Sequence, residues 1–437
     1  MSLMRVVVFI AYLAVCAALV GIMESGAADV FLEATRPDFQ KIPIGVLGFQ
    51  GKTAVDGSAG QVADILKADL RRSQIFSVAD LPKLGIKVND VDGAEKALFK
   101  QATENGISVL VWGKLGVKEA DVVLDGYVYD GGEDEVVAGK RYVGPSSVVR
   151  LMVHRLADEI VFRYTGEPGI ARTKIAYVSE QAGARELYVM DYDGASPRQI
   201  TADGFLNLMP RWSPDRRFLV FTVYRSRLTQ DIDMIELATG KRLTLVSLGG
   251  LNITPAFSPD GNDLVFATSQ DGNSELYKLD TRTKVLQRLT NNSAGDLSPS
   301  WSPTGREMAF TSDRGGGPQI YLMSADGSNV RRLTFAGDYN AAPAWSPRGT
   351  WIAHVCRTQK REYKLCLISP DGQQSRQITT GPGVDDSPSW SPDGRHLVFS
   401  STLEGKSHIY MINWDGTELE RLTSGGIHHS SPSWSPL

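Results

Sequence analysis

Six copies of one phrase, Pro-x-Trp-Ser-Pro, constrain this chain more than any other feature. They occupy 210–214, 255–259 (with Phe257 in place of Trp), 299–303, 343–347, 388–392 and 432–436. The aromatic residues fall at 212, 257, 301, 345, 390 and 434, so successive copies lie 44 or 45 residues apart. A repeat of that length marks one supersecondary unit that cannot bury its apolar face alone and stacks on copies of itself. After a complete copy come three short runs of alternating β-branched, aromatic and polar residues. Those following Trp301 are 307–312, 319–323 and 331–334, with turns at Asp313-Arg314-Gly315 and Asp326-Gly327. Four strands per period predict the blade of a β-propeller.

The two ends of the repeat complement each other. The sixth copy stops at Pro436-Leu437, while the runs 174–179, 186–190 and 197–201 lack a phrase of their own. This predicts a six-bladed β-propeller over 169–437, in which the C-terminal strand pairs with the first strands of the propeller and no sheet edge is left open. The repeated Trp, Ser and Pro residues are read as scaffold.

Residues 29–168 have a different texture. Ile42 to Phe49 reads as a buried strand, and Val62, Ile65, Leu66 and Leu70 mark one face of a helix. A second helix and strand (94–105, 108–113), a hairpin around Asp130-Gly131-Gly132 and a helix marked by Val148, Met152, Leu156, Ile160 and Val161 complete an α/β domain. Gly166-Glu167-Pro168-Gly169 is the linker. Residues 1–28 carry Arg5, an apolar run from Val6 to Val20 and Gly26-Ala27-Ala28, the layout of a signal peptide cut before Asp29. The other readings are an uncleaved membrane anchor and, through Leu13-Ala14-Val15-Cys16, a lipoprotein signal. Export places Cys356 and Cys366 in an oxidising compartment, as two buried thiols by preference or as a hairpin disulfide.

Composition argues against nucleic acid: 46 basic and 50 acidic side chains leave a net charge of -4 and no field for a phosphate backbone. Gly51-Lys52-Thr53 lacks the first glycine of a phosphate-binding loop, since Val46 stands there, and reads as a plain loop. No Gly-x-Ser-x-Gly elbow and no His-Glu-x-x-His occurs, and the six histidines read as ordinary surface or strand residues. No catalytic residue and no cofactor is assigned.

One constellation remains. Three positions before the first proline of each phrase stand Asn207, Asn252, Asp296, Asn340, Asp385 and His429. Six-fold repetition predicts a polar ring at one mouth of the central channel. The residues there cap turns, form a docking rim, or, as Asn252, Asp296, Asn340 and Asp385, supply oxygen ligands to a calcium-like cation. Leu206, Leu251, Ile253, Thr254, Leu297, Ser298 and Ala341 share that face, and mixed apolar and polar exposure suits a partner surface.

In its order of parts (leader, small α/β domain, and a ring with phrases such as Pro388 to Gly394) the whole chain resembles the TolB family of the bacterial Tol-Pal system. The resemblance implies a monomeric, non-enzymatic periplasmic adaptor that helps maintain the outer membrane and its constriction during division. It also implies two partners. The lipoprotein Pal would dock at the channel mouth, with Leu251, Asn252, Thr254 and Leu297 as contacts by position and Asp296, Asn340, Asp385 and His429 on the same rim. TolA would take the mature N-terminus, Asp29-Val30-Phe31-Leu32-Glu33. Other outer-membrane or peptidoglycan-associated proteins are further candidate partners. Trp-Ser-Pro-Asp-Gly propellers also resemble the non-catalytic half of prolyl-oligopeptidase-type peptidases, so the alternative is a peptidase accessory or a channel-site enzyme.

Overall fold

The computed structural model describes residues 40–51, 58–86, 95–181, 183–226 and 229–437. The leader, the segment Asp29 to Glu33, and Lys52 and Thr53 lie outside the described residues.

The front domain is one five-stranded sheet with helices packed on it. Its elements are β1 (Ile42–Gln50), α1 (Ser58–Arg72), β2 (Phe76–Val78), α2 (Glu95–Glu104), β3 (Val109–Lys118), β4 (Asp121–Asp130), β5 (Glu135–Gly144) and α3 (Val149–Thr165). Spatial order is β2-β1-β3-β4-β5, with β1 parallel to both neighbours and β3, β4 and β5 antiparallel. The β1–α1–β2 path crosses over the sheet as parallel neighbours require. Val62, Leu66 and Leu70 of α1 are fully covered, and α1 packs on α3. Gly166 ends α3 at φ 71°, donating its N–H to Phe162 O, an arrangement that favours glycine. Gly169 is needed for room, because a Cβ there would lie 2.3 Å from Asp158 Oδ1.

The repeat region is all β. Four separate four-stranded antiparallel sheets run in sequence order from Asn252 to Arg421, and a larger sheet joins the two ends of the region. In that larger sheet His429–Trp434 lies antiparallel to Lys174–Gln181, with His429 opposite Ser179 and Trp434 opposite Ile175. A single parallel bridge, Arg185 to Leu206, joins its two halves. The first strand of each unit contains the phrase, and the second strand is the most buried: Leu264, Val265, Phe266 and Ala267 are all at 0% exposure.

The phrase does structural work at each position. The Trp212, Trp301 and Trp390 indole N–H groups donate to the backbone oxygens of Ser433, Ala256 and Ala344, each on the first strand of the preceding unit. Trp212 thereby reaches from the beginning of the repeat to its end. Ser213, Ser258 and Ser391 each donate to an aspartate two residues on, and each Oγ accepts the N–H five residues on, closing the turn out of the strand. Immediately before each first proline stands a non-glycine residue at positive φ: Met209, Thr254, Ser298, Ala342, Ser387 and Ser431, with φ between 50° and 55°. Each sits in a register shift against the second strand, a bulge that bends the inner strand as it enters the channel wall.

Cys356 and Cys366 form a disulfide across the hairpin Ile352–Arg357 and Tyr363–Ile368, so the preference for buried thiols is corrected. In the ladder Cys356 faces Lys364 and Cys366 faces His354, which puts the two cysteines on one diagonal with Cα atoms 5.8 Å apart, within bonding range.

Candidate functional site: the channel and its two mouths

Each member of the polar ring begins an innermost strand: Leu206–Trp212 has Asn207 second, and Asn252, Asp296, Asn340, Asp385 and His429 stand first in theirs. All six are buried, between 0% and 6% exposed. These side chains are therefore not presented to solvent. Each is turned inward and held by the preceding unit, 21 or 22 residues upstream. Asn207 Nδ2 donates to Glu186 Oε2 at 3.1 Å, Asn252 Nδ2 to Gln230 O at 2.9 Å, and Asn340 Nδ2 to Gln319 Oε1 at 3.0 Å. Asp296 Oδ2 accepts from Asn292 Nδ2, whose backbone N–H donates to Glu275 Oε1, and Asp385 Oδ2 lies 3.3 Å from Lys364 Nζ. His429 packs its ring 5.7 Å from that of His408, and burial depresses the pKa of both. These are latches between neighbouring units, and the complementary residue at constant upstream spacing is the signal that sequence reading passed over.

The latches also remove the basis for a cation cage. Asp296 is paired with Arg314 at 2.8 Å and Asp385 with Lys364, while Asn252 and Asn340 point their Nδ2 groups at carbonyl oxygens. Two carboxylates already neutralised by side-chain cations do not offer the converging oxygens a hard cation needs.

What this mouth presents to solvent lies beside the latches. Leu251, Thr254 and Leu297 are half-buried. Phe335 is 73% exposed, Val384 45% and Phe205 37%, all in the turns that lead into innermost strands. An apolar collar around a buried, latched polar ring is the kind of surface that suits a protein partner. The sequence signal for Phe205, Phe335 and Val384 was a large apolar residue inside a turn otherwise built of Gly, Asp, Thr, Ala and Pro.

The opposite mouth faces the front domain. Glu167 in the linker accepts Arg348 Nη2 and Arg395 Nη2, both at 2.7 Å, from the turns that follow two of the phrases. Nearby, α1 and α3 meet the first repeat strands through a buried network. Asp69 accepts His154 Nδ1–H at 2.7 Å and Tyr192 O–H at 2.5 Å, with all three at 4% exposure or less. Burial, followed by the Asp69 charge, pushes the Tyr192 hydroxyl well above the ordinary range, so it remains a donor. His154 is thus neither a surface nor a strand residue. Its ring also approaches Asp191 and Asp193, the three ligand-type atoms lying within 4.8 Å of one another. Arg150 and Lys174 occupy those carboxylates, which makes the cluster an ion-pair junction.

Inside the ring lies a cavity of about 500 Å³, walled by the repeated Pro-x-Trp-Ser-Pro segments. Among the described residues no nucleophile–base pair is assembled in it: its hydroxyls come from serines of the phrase, and no histidine lines it.

A propeller whose repeated side chains hold its units together, fronted by a small α/β domain and showing an apolar collar at the free mouth, has the construction of a binding scaffold. The chain belongs to the TolB family: residues 161–437 match the family described as the TolB beta propeller domain, and residues 30–130 the TolB amino-terminal domain. It is similar to the Tol-Pal system protein TolB of Desulfosudis oleivorans, 33% identical over 272 residues, 60% of each chain. It is also similar to the TolB homolog of Chlorobium chlorochromatii, 36% identical over 239 residues, 55% of this chain and 53% of that one. The matched stretches thus span between half and two thirds of these relatives' lengths. The crystal structure of TolB from Acinetobacter baumannii superposes with a TM-score of 0.79 at 28% identity, covering 91% of this chain and 97% of that one.

Proposed function

We propose that this protein is a non-enzymatic periplasmic adaptor of a Tol-Pal system, exported by a leader cut after Ala28. It docks the lipoprotein Pal at the free mouth and TolA through Asp29 to Glu33, and so serves outer-membrane integrity and envelope constriction during division. The supporting observation is the apolar collar of Phe205, Phe335 and Val384 with Leu251, Thr254 and Leu297, on the mouth away from the described residues of the front domain. Family membership supports the partner assignment, through relatives named as Tol-Pal system components. Among the described residues no helix is long and apolar enough to cross a membrane.

The scaffold reading is a six-bladed closed ring. The two halves of the large sheet, joined only through the Arg185–Leu206 bridge, count as two blades, and the four separate sheets complete the six. The strand His429–Trp434 completes the blade of Lys174–Gln181, and the Trp212-to-Ser433 hydrogen bond supports closure. The two partners communicate by population shift, the N-terminal segment having two arrangements that Pal docking biases.

Co-precipitation from envelope extract tests this: recovery of Pal-like and TolA-like proteins is expected. Deleting residues 29–33 abolishes TolA binding and leaves Pal binding equal or tighter; weaker Pal binding contradicts coupling of this sign. Peptide turnover by the purified protein would favour an enzyme instead.

A further inference from the structure

At the second position of the phrase the chain places Arg211, Ala256, Ser300, Ala344, Ser389 and Ser433. Ala256, Ser300, Ala344, Ser389 and Ser433 have small side chains that leave the channel open; Arg211 alone is large, and it is the one charged residue among the described residues lining the cavity. Its guanidinium is poorly provided for. Nη1 donates to the carbonyl oxygen of neighbouring Pro210 at 3.0 Å, which leaves four of five N–H donors without a hydrogen bond to the described residues. Among the described residues no carboxylate lies within ion-pair distance, whereas Arg225, Arg242, Arg288 and Arg314 around the ring each have at least one. Burial pushes the Arg211 pKa below the ordinary value, and the only opposing charge is the more distant Asp386.

Two serines of the same cavity can donate to an anion. Ser300 Oγ accepts the N–H of Trp345 at 2.9 Å and Ser389 Oγ that of Trp434 at 3.0 Å, so each hydroxyl keeps its proton to donate. Among the described residues no aspartate or glutamate lines the cavity to compete. A planar guanidinium with free parallel N–H groups binds carboxylate or phosphate oxygens in pairs, and a desolvated site strengthens that contact.

We infer that the channel is an oxyanion site, in which Arg211, with the hydroxyls of Ser300 and Ser389, takes a carboxylate or phosphate group. This goes beyond the adaptor reading and does not depend on it. The oxyanion comes either from a small free anion or from an acidic side chain on a segment inserted through the mouth.

Calorimetric titration of the full chain in a low-chloride buffer tests the inference, with inorganic phosphate in one arm and N-acetyl-glutamate amide in the other. Saturable one-to-one binding of either is expected, at least tenfold weaker in Arg211→Ala and in Arg211→Gln, both of which should keep the wild-type melting temperature. Binding of phosphate alone identifies a free anion, and binding of the glutamyl carboxylate identifies an acidic segment. Absence of saturable heat with both ligands, or unchanged affinity in the folded variants, overturns it.

Discussion

Replacing Asp69 by alanine should loosen the attachment of the front domain to the propeller. In the native chain this carboxylate accepts from His154 on α3 and from Tyr192 in the first repeat unit, at 2.7 and 2.5 Å. Both donors are nearly sealed from water, at 3% and 1% exposure, so water cannot replace the lost acceptor. A hydrogen bond to a charged group contributes about 1.5–3 kcal/mol, and two stranded buried donors together make the loss about 3–6 kcal/mol. That is a large share of the roughly 5–15 kcal/mol that holds a domain folded. Urea unfolding of Asp69→Ala, Tyr192→Phe and the double variant, followed by tryptophan fluorescence, measures it. Tyr192→Phe removes the donor together with its need, so it should cost less than Asp69→Ala. The double variant should show a coupling energy on the order of 1–3 kcal/mol. Additive effects, or a loss in Asp69→Ala below about 1 kcal/mol, would refute the reasoning that this network clamps the domains.

Three further outcomes follow from named contacts. Burial holds His354 down at about 4, so the folded chain keeps it neutral while the unfolded chain takes up a proton below its ordinary value near 6.5. Stability is then flat above about pH 6.5 and falls as pH drops towards 4, by on the order of 3 kcal/mol from this residue, with His396, His408 and His429 acting in the same direction; urea midpoints across that range check it, and a midpoint rising with acidity contradicts it. Trp345→Phe should cost about 1 kcal/mol less than Trp390→Phe, because the Trp345 indole N–H has no acceptor whereas that of Trp390 donates to Ala344 O at 2.9 Å; equal losses in thermal unfolding would deny the stitching role of the indole. Replacing both Cys356 and Cys366 by alanine should lower stability by about 2–3 kcal/mol, the chain-entropy expectation for a ten-residue loop, measurable against wild type with and without reductant.

The architecture was legible because a repeat shows each structural requirement six times. Proline and serine recur at one spacing, with tryptophan in five of the six copies, and the turns they form and the indole contacts of Trp212, Trp301 and Trp390 recur with them. The ring residues were legible as a set, but their direction was not. Asn340 looks the same on paper whether it faces solvent or Gln319, and only the complementary side chain 21 positions earlier separates the two. The bulges were hidden for another reason: Met209, Thr254 and Ala342 are not residues that announce a left-handed backbone, and the inter-strand ladder imposes it on them. The Asp69–His154–Tyr192 network joins positions 85 and 123 residues apart, with no periodicity to connect them.

Hydrogen–deuterium exchange of the full chain with and without Pal tests the proposed docking surface most directly. Protection is predicted in the turns entering the innermost strands, around Phe205, Leu251, Leu297, Phe335 and Val384, with the turns near Arg348 and Arg395 at the domain-facing mouth unchanged. Protection confined to that domain-facing mouth, or to the outer strands of the propeller, would contradict it.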